Sequence, residues 1–193
     1  MELWHAWPCP YCARVRVALA EKGLKWKGRE VDLARKPPEL LALNPANGVP
    51  VLVDGDRVIP DSLRILEYLD ERAPEPHMLP ADGPGRDAVK ALYERVGRLL
   101  GPHLLRIARG TPEEREAARG SVREALHALE ADAPASGWLA GPYSAADLAL
   151  LSFLDKLPAD DRPAALGLPR LARWEMEMRA RPAVRAAPQG RVA

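Results

Sequence analysis

The stretch Cys9-Pro10-Tyr11-Cys12 decides the fold and the chemistry expected of this chain. It follows the apolar run 3–7 and precedes a segment with helical spacing, 13–22, so both cysteines fall where a strand passes into a helix. Free N–H groups and the helix dipole at such a start favour an ionised thiol, which is the reactive form. The pattern therefore predicts redox or thiol-transfer chemistry at Cys9, with Cys12 as a possible resolving thiol.

The two cysteines have two other interpretations. They could be two small buried residues at the start of a helix, without chemistry. They could also be half of a zinc site, which needs two further ligands nearby, whereas the four histidines are scattered along the chain. The C-x-x-C spacing, with no other cysteine in the chain, favours redox chemistry and no metal.

Composition narrows the class of protein. The chain has 193 residues, 47% of them hydrophobic, which suits one large domain or two small ones. The formal net charge of +1 gives no indication of a nucleic-acid partner. No apolar run approaches the roughly 20 residues of a membrane helix, and Met1 leads straight into the first apolar run without a signal peptide. We expect a cytoplasmic protein in a reducing compartment.

Periodicity divides the chain into two halves. Residues 1–73 follow the order β-α-β-α-β-β-α, residues 74–85 form a linker rich in proline and glycine, and residues 86–193 contain only helices. The sequence predicts strands over 3–6, 25–31, 49–53 and 57–59, and helices over 12–22, 37–43, 62–72, 89–107, from 111, over 145–154 and over 169–180. We expect Arg14 and Arg16 on a solvated helix face or in internal ion pairs, and a loose tail from 182.

Two further motifs carry possible chemistry. If the Val49–Pro50 bond is cis, the Val49 backbone faces outward and could pair with an extended thiol peptide; otherwise Pro50 is a loop proline. Asp61-Ser62 precedes a helical segment, where a hydroxyl and free N–H groups bind a carboxylate and Asp61 could meet an ammonium. Ordinary N-capping explains the same pair.

Together these motifs resemble the glutathione transferase superfamily over nearly the whole chain. CPYC after the first strand, the NGVPVL segment 47–52 and the Asp61-Ser62 pair are similar to its cysteine-type members, the omega-like transferases and two-domain glutaredoxins. In the helical half, Trp138-Leu139-Ala140-Gly141 followed by Ser144-Ala145-Ala146-Asp147 resembles the capping box that opens the family's central buried helix.

The resemblance implies a thioredoxin-like domain that binds glutathione and an all-helical domain that completes the second-substrate pocket. Cys9 would be the catalytic thiol, Val49, followed by Pro50, would pair with the cysteinyl backbone, and Asp61 and Ser62 would hold the γ-glutamyl end. Lys36 would bind the glycyl carboxylate. Two features depart from the family: Asp61 is shorter than the usual Glu or Gln, and the first strand offers no tyrosine for a tyrosine-type mechanism. Tyr11, beside the thiol, either contacts the ligand or serves packing.

We therefore predict an enzyme, a glutathione-dependent thiol transferase acting on mixed disulfides of small molecules or proteins, or on oxidised substrates such as dehydroascorbate. Three alternatives stay open. One is a transferase that conjugates glutathione to electrophilic carbon, and another is a non-catalytic docking module on the same fold. The third keeps the chemistry but uses another low-molecular-weight thiol. A monomer and a homodimer are equally compatible with the sequence.

Overall fold

A computed structural model describes residues 1–187 of the chain. These residues group into two compact units. The first comprises Met1–Leu79 together with the segment from Pro182, and the second comprises Pro80–Arg181. The predicted domain limits at 73 and 86 stay predictions, and the segment from Pro182 groups with the first unit although the sequence placed it in the helical domain.

The first unit has a four-stranded sheet with the strand order β2-β1-β3-β4. Strands β1 and β2 are parallel, and β3 pairs antiparallel with both β1 and β4. This arrangement fits the predicted order β-α-β-α-β-β-α, because a helix between β1 and β2 permits parallel pairing and a short turn between β3 and β4 permits antiparallel pairing. Its elements are β1 (Glu2–His5), α1 (Pro10–Glu21), β2 (Lys27–Glu30), α2 (Pro38–Leu43), β3 (Val51–Asp54), β4 (Arg57–Pro60), α3 (Ser62–Arg72) and α8 (Pro182–Ala186).

Helix α1 begins at Pro10, earlier than predicted, because proline is compatible with the first helical position and Cys9 takes the N-cap. It ends where predicted, since Gly23 adopts a φ of 61°, in the left-handed region that glycine tolerates. Its apolar side chains Val15 and Leu19 are fully buried in the core of the unit.

The second unit is helical, as predicted. Helix α5 begins with a capping box in which Thr111 and Glu114 bond each other's backbone, and Ser144 and Asp147 do the same for α6. No helix among the described residues is both long and apolar enough to cross a membrane. The elements are α4 (Gly83–Arg109), α5 (Pro112–Asp132), α6 (Ala145–Leu154), a 3₁₀ turn (Ala159–Asp161) and α7 (Pro169–Ala180).

The structure narrows one sequence expectation and overturns another. Arg14 and Arg16 are each only 1% exposed, which rules out the solvated face and keeps the internal alternative. The tail is not loose at its start, because Pro182–Ala186 forms α8 and packs on α1. The rest of the predicted tail, from 188, lies outside the described residues.

Candidate functional site

Cys9 occupies the N-cap of α1, where its backbone N–H donates to the carbonyl of Ala6 at 3.2 Å. Its side chain makes no capping hydrogen bond, so the thiol is not engaged in holding the helix. The residue is 9% exposed, whereas Cys12, one turn further, is fully buried. Both pack against Ala6, and partly buried Leu33 and Val49 flank them. Cys9 is thus the more accessible of two cysteines in an apolar setting.

The pKa of Cys9 is lowered to about 7, and the largest cause is a hydrogen bond that the Cys12 thiol donates to the Cys9 sulfur. Burial opposes this effect, while the backbone N–H groups of Cys12 and Tyr11 and the charge of Arg14 add to it. The helix start therefore contributes as the sequence led us to expect, but Cys12 contributes more. Burial and the hydrogen bond to Cys9 raise the pKa of Cys12 well above that of a free thiol.

Val49 lies next to the thiol. Its carbonyl oxygen accepts from the Cys9 sulfur at 3.8 Å, and the Val49–Pro50 peptide bond is cis. The Val49 side chain packs on the cluster of both cysteines and on a second one formed by Val31, Leu40 and Val51. The loop before β3 thus presents backbone polar groups beside a thiol held by α1.

Asp61 is the N-cap of α3. Its Oδ1 accepts the N–H groups of Leu63 and Arg64 at 2.8 and 3.2 Å, which confirms the predicted cap. Its φ of 75° lies in the left-handed region, which is uncommon for a residue other than glycine and occurs often at functional sites. Ser62, the first residue of the helix, is 2% exposed.

A cavity of about 280 Å³ connects the loop before β3 with the start of α3. Five residues predicted from the sequence line it: Tyr11, Val49, Pro50, Asp61 and Ser62. The full lining is Tyr11, Asn44, Ala46, Gly48, Val49, Pro50, Pro60, Asp61, Ser62 and Arg64. Cys9 adjoins the cavity through its contact with Val49.

The other three predicted residues, Cys9, Cys12 and Lys36, do not line this cavity. Lys36 is at the surface, where its Nζ donates to the carbonyl of Asn47 at 2.7 Å. It thereby holds the loop that leads to Gly48 and Val49. The role of Lys36 toward a glycyl carboxylate stays a prediction, and its position indicates an effect through the loop.

The sequence reasoning missed a buried cation under the thiol site. Nη1 of Arg16 lies 3.4 Å from the carbonyl oxygen of Ala6 and 3.5 Å from Nδ1 of His5, and the guanidinium stacks 4.8 Å from the ring centre of Trp7. Burial and the charge of Arg16 lower the pKa of His5 to about 4. Helical spacing contained the signal, because Arg16 lies four residues after Cys12 and therefore on its face.

Arg64 was also missed. It lines the cavity three residues after Asp61, in the first turn of α3, and its side chain is exposed. Across residues 1–187, no group of three or more His, Cys, Asp or Glu side chains is arranged to hold a metal ion.

Residues 3–77 match the family model described as glutathione S-transferase, N-terminal domain. A probable glutathione S-transferase GSTU1 of Oryza sativa subsp. japonica is 33% identical over 186 residues, which cover 87% of this chain and 80% of that protein. The crystal structure of Rice GST1 in complex with glutathione superposes with a TM-score of 0.84 at 30% identity, over 98% of this chain and 90% of that one. The predicted fold class, a thioredoxin-like domain followed by a helical domain, is thus confirmed.

A second kind of relative matches only in part. The stringent starvation protein A homolog of Haemophilus influenzae is 39% identical over 116 residues, or 60% of this chain. The match spans 55% of that protein, so the chain corresponds to about half the length of this curated relative.

Proposed function

This chain belongs to the glutathione S-transferase family, and we propose that it is a cysteine-type, glutathione-dependent thiol transferase in which Cys9 is the attacking thiolate. One observation carries the proposal: the residue at the N-cap of α1 is a cysteine with a pKa lowered to about 7, beside the cavity. At neutral pH about half of such a thiol is ionised, whereas a free cysteine is ionised by only a few per cent.

The reaction begins on a mixed disulfide between glutathione and a small molecule or protein. The Cys9 thiolate attacks the glutathionyl sulfur, the bond between the two substrate sulfurs breaks, and the released thiolate takes a proton from solvent. Cys9 is then joined to glutathione. The thiolate of a second glutathione attacks this disulfide, forms glutathione disulfide and releases Cys9 as a thiolate. In sum, the mixed disulfide and one free glutathione become the released thiol and glutathione disulfide, so the reaction needs no other oxidant or reductant.

Cys12 supports the attacking sulfur and does not resolve the intermediate in this proposal. Its pKa is raised, so it carries a proton at neutral pH and is a poor nucleophile. The same proton forms the hydrogen bond that lowers the pKa of Cys9. The dithiol thus works as one nucleophile with an adjacent donor.

Bound glutathione would extend through the cavity. Its cysteinyl backbone would pair with Val49, which places the ligand sulfur near Cys9, since the Val49 carbonyl lies 3.8 Å from the Cys9 sulfur. Its γ-glutamyl end would reach Asp61 and Ser62 at the start of α3. The glutathione bound in the similar rice structure supports this choice of thiol.

The test compares the native chain with Cys9→Ser and Cys12→Ser in the glutathione-dependent reduction of hydroxyethyl disulfide. We expect Cys9→Ser to lose at least about 10³-fold in rate, because it removes the nucleophile, and Cys12→Ser to keep most of it. Mass spectrometry after incubation with glutathione disulfide should locate one glutathionyl group on Cys9. Full activity of Cys9→Ser, or an adduct on Cys12, contradicts the proposal.

A second candidate is conjugation of glutathione to electrophilic carbon, favoured by the similarity to the rice transferase along most of both chains. In that reaction the residue at position 9 only donates a hydrogen bond to the glutathione thiolate, which serine also does. Retained conjugation of chlorodinitrobenzene by Cys9→Ser, beside lost disulfide reduction, would mean that the chain has both activities. High conjugation with no disulfide reduction by the native chain would favour the second candidate alone.

A further inference from the structure

The thiol-transfer reaction leaves one buried cation, Arg16, without a role. Its residue is 1% exposed, and its side chain reaches from the middle of α1 to the turn between β1 and α1. Nη1 donates to the carbonyl of Ala6 at 3.4 Å, and Nη2 donates to the carbonyl of Trp7 at 3.5 Å. The guanidinium also stacks 4.8 Å from the centre of the Trp7 ring. Because a buried charge without acceptors is costly, the guanidinium and the turn hold each other in place.

Ala6 links this guanidinium to both cysteines. Its carbonyl accepts from Arg16 and also from the backbone N–H of Cys9, at 3.2 Å. Its own N–H donates a hydrogen bond to the Cys12 sulfur, which acts against the raised pKa of Cys12. One buried residue of the turn thus contacts the cation and both members of the dithiol. A shift of Ala6 therefore changes the position of one sulfur relative to the other.

The relative position of the two sulfurs matters because the Cys12 thiol donates a hydrogen bond to the Cys9 sulfur. A thiol is a weak donor and sulfur a weak acceptor, so a small displacement is enough to remove this hydrogen bond. Cys12 lies within α1, whose backbone hydrogen bonds fix it, whereas Cys9 is the N-cap and has an extended backbone. The position of Cys9 therefore depends on the turn before it, which is the segment that Arg16 holds.

We propose that Arg16 is a positioning residue for thiol transfer at Cys9. By bridging two successive carbonyls it fixes the turn before α1, and this turn keeps the Cys9 sulfur within hydrogen-bond reach of the Cys12 thiol. The inference rests on the proposed function, in which that hydrogen bond supports the attacking thiolate. A guanidinium suits this task because its planar fork donates to two neighbouring carbonyls, whereas a lysine ammonium is a point charge on a flexible stem. The shape of the side chain, and not only its charge, is therefore required.

The pH midpoint of Cys9 alkylation by iodoacetamide tests this role on the full chain without glutathione. The charge of Arg16 also attracts both ionised cysteines, so the test has to separate charge from shape. Arg16→Lys keeps the charge and loses the fork, and we expect it to raise the midpoint from about 7 by about half a unit. Arg16→Gln loses both and should raise the midpoint further. Since Arg16→Lys keeps a buried cation and should fold even where Arg16→Gln does not, the lysine variant decides.

The same substitution in the Cys12→Ala chain shows whether Arg16 acts through the dithiol. Because the hydrogen bond from Cys12 is absent there, Arg16→Lys should cause no further shift. Arg14→Gln is the matched control: Arg14 is equally buried on the same helix, and its charge acts on Cys9, so its shift should be equal in both chains.

Two results overturn the positioning role and leave the proposed function standing. One is an unchanged midpoint in Arg16→Lys, and the other is a shift in Arg16→Lys that persists in full without Cys12. If Cys9 of the native chain has the midpoint of a free thiol, both the positioning role and the proposed function are wrong.

Discussion

The two ends of α1 each bury a polar group, and they satisfy it to different degrees. At the C-terminal end the Lys22 side chain is 0% exposed, and its ammonium meets three oxygens. These are Oδ1 of Asp70 at 2.7 Å and the carbonyls of Ala73 and Pro76 at 2.6 and 2.9 Å. At the N-terminal end, the Cys9 thiol has one acceptor, the Val49 carbonyl, at a distance of 3.8 Å.

This difference indicates a structural role for Lys22 and a reactive role for Cys9. Lys22 uses all three of its protons on good acceptors, so it gains nothing by reacting and ties α1 to α3 and the segment that follows. Cys9 has only weak sulfur contacts as a thiol and gains stronger ones as a thiolate, which can accept from the Cys12 thiol and from two backbone N–H groups. A buried group that is better satisfied after losing a proton is poised for chemistry.

The largest effect on stability should come from removing a partner of Lys22 at the C-terminal end of α1. Asp70→Ala removes the carboxylate partner of buried Lys22 and also the acceptor for the N–H groups of Met78 and Leu79. We expect a loss of about 3 kcal/mol in the free energy of unfolding, at the low end for breaking a buried ion pair because two carbonyls remain on Lys22. Urea unfolding measures this loss. The rate of glutathione-dependent disulfide reduction per folded molecule should not change.

Asp32→Ala is the control for this variant. Asp32 and Arg35 form an ion pair whose side chains are 52% and 90% exposed, so its removal should leave stability essentially unchanged. Equal effects of the two variants would mean that the burial of Lys22 contributes nothing.

A smaller effect should appear as a pH dependence of stability near the thiol end. The pKa of His5 is lowered to about 4 by burial, so between pH 6.5 and 4 the unfolded chain binds a proton that the folded chain does not. Stability therefore falls as the pH falls through this range. We expect the native chain to lose about 2 kcal/mol more than His5→Gln between pH 7.5 and 5. His127→Gln, which removes an exposed histidine, should show the same dependence of the free energy of unfolding on pH as the native chain. If His5→Gln shows that same dependence, His5 is not its cause.

The smallest effect concerns the reactive end itself. Because the Cys12 thiol is the largest cause of the lowered pKa of Cys9, Cys12→Ala should raise the pH midpoint of Cys9 alkylation by about one unit from about 7. Below the midpoint the thiol is protonated, and the rate falls with pH. Cys12→Ser retains a donor and should stay closer to the native midpoint, although both variants lack a second thiol. An unchanged midpoint in Cys12→Ala would assign the activation to the backbone N–H groups of the helix start and the charge of Arg14.

Sequence patterns predicted what depends on neighbours within one helical turn or one hairpin. The capping boxes at Thr111 and Ser144, the Asp61 cap and the short connection between β3 and β4 all follow from spacings of a few residues. The same patterns could not decide between a solvated face and an internal position for Arg16, since periodicity places a residue on a side of the helix and cannot state what covers that side. Its contacts with the Ala6 and Trp7 carbonyls come from a different element.

From the order of residues alone, the cysteine pair could be located at the start of a helix after a strand, and Asp61 could be placed at a helix cap. The resemblance to a family, and not the order of residues, led us to expect the Val49–Pro50 loop and Asp61 in one ligand site, which stays a prediction. Tertiary structure decided which groups meet: Cys12 with the Cys9 sulfur as a donor, Asp70 with Lys22 across 48 positions, and Arg64 with the cavity. The physical reason is the separation along the chain over which each kind of interaction acts. Backbone hydrogen bonding and side-chain periodicity act over a few residues, whereas burial and charge pairing depend on segments that only the folded chain brings together.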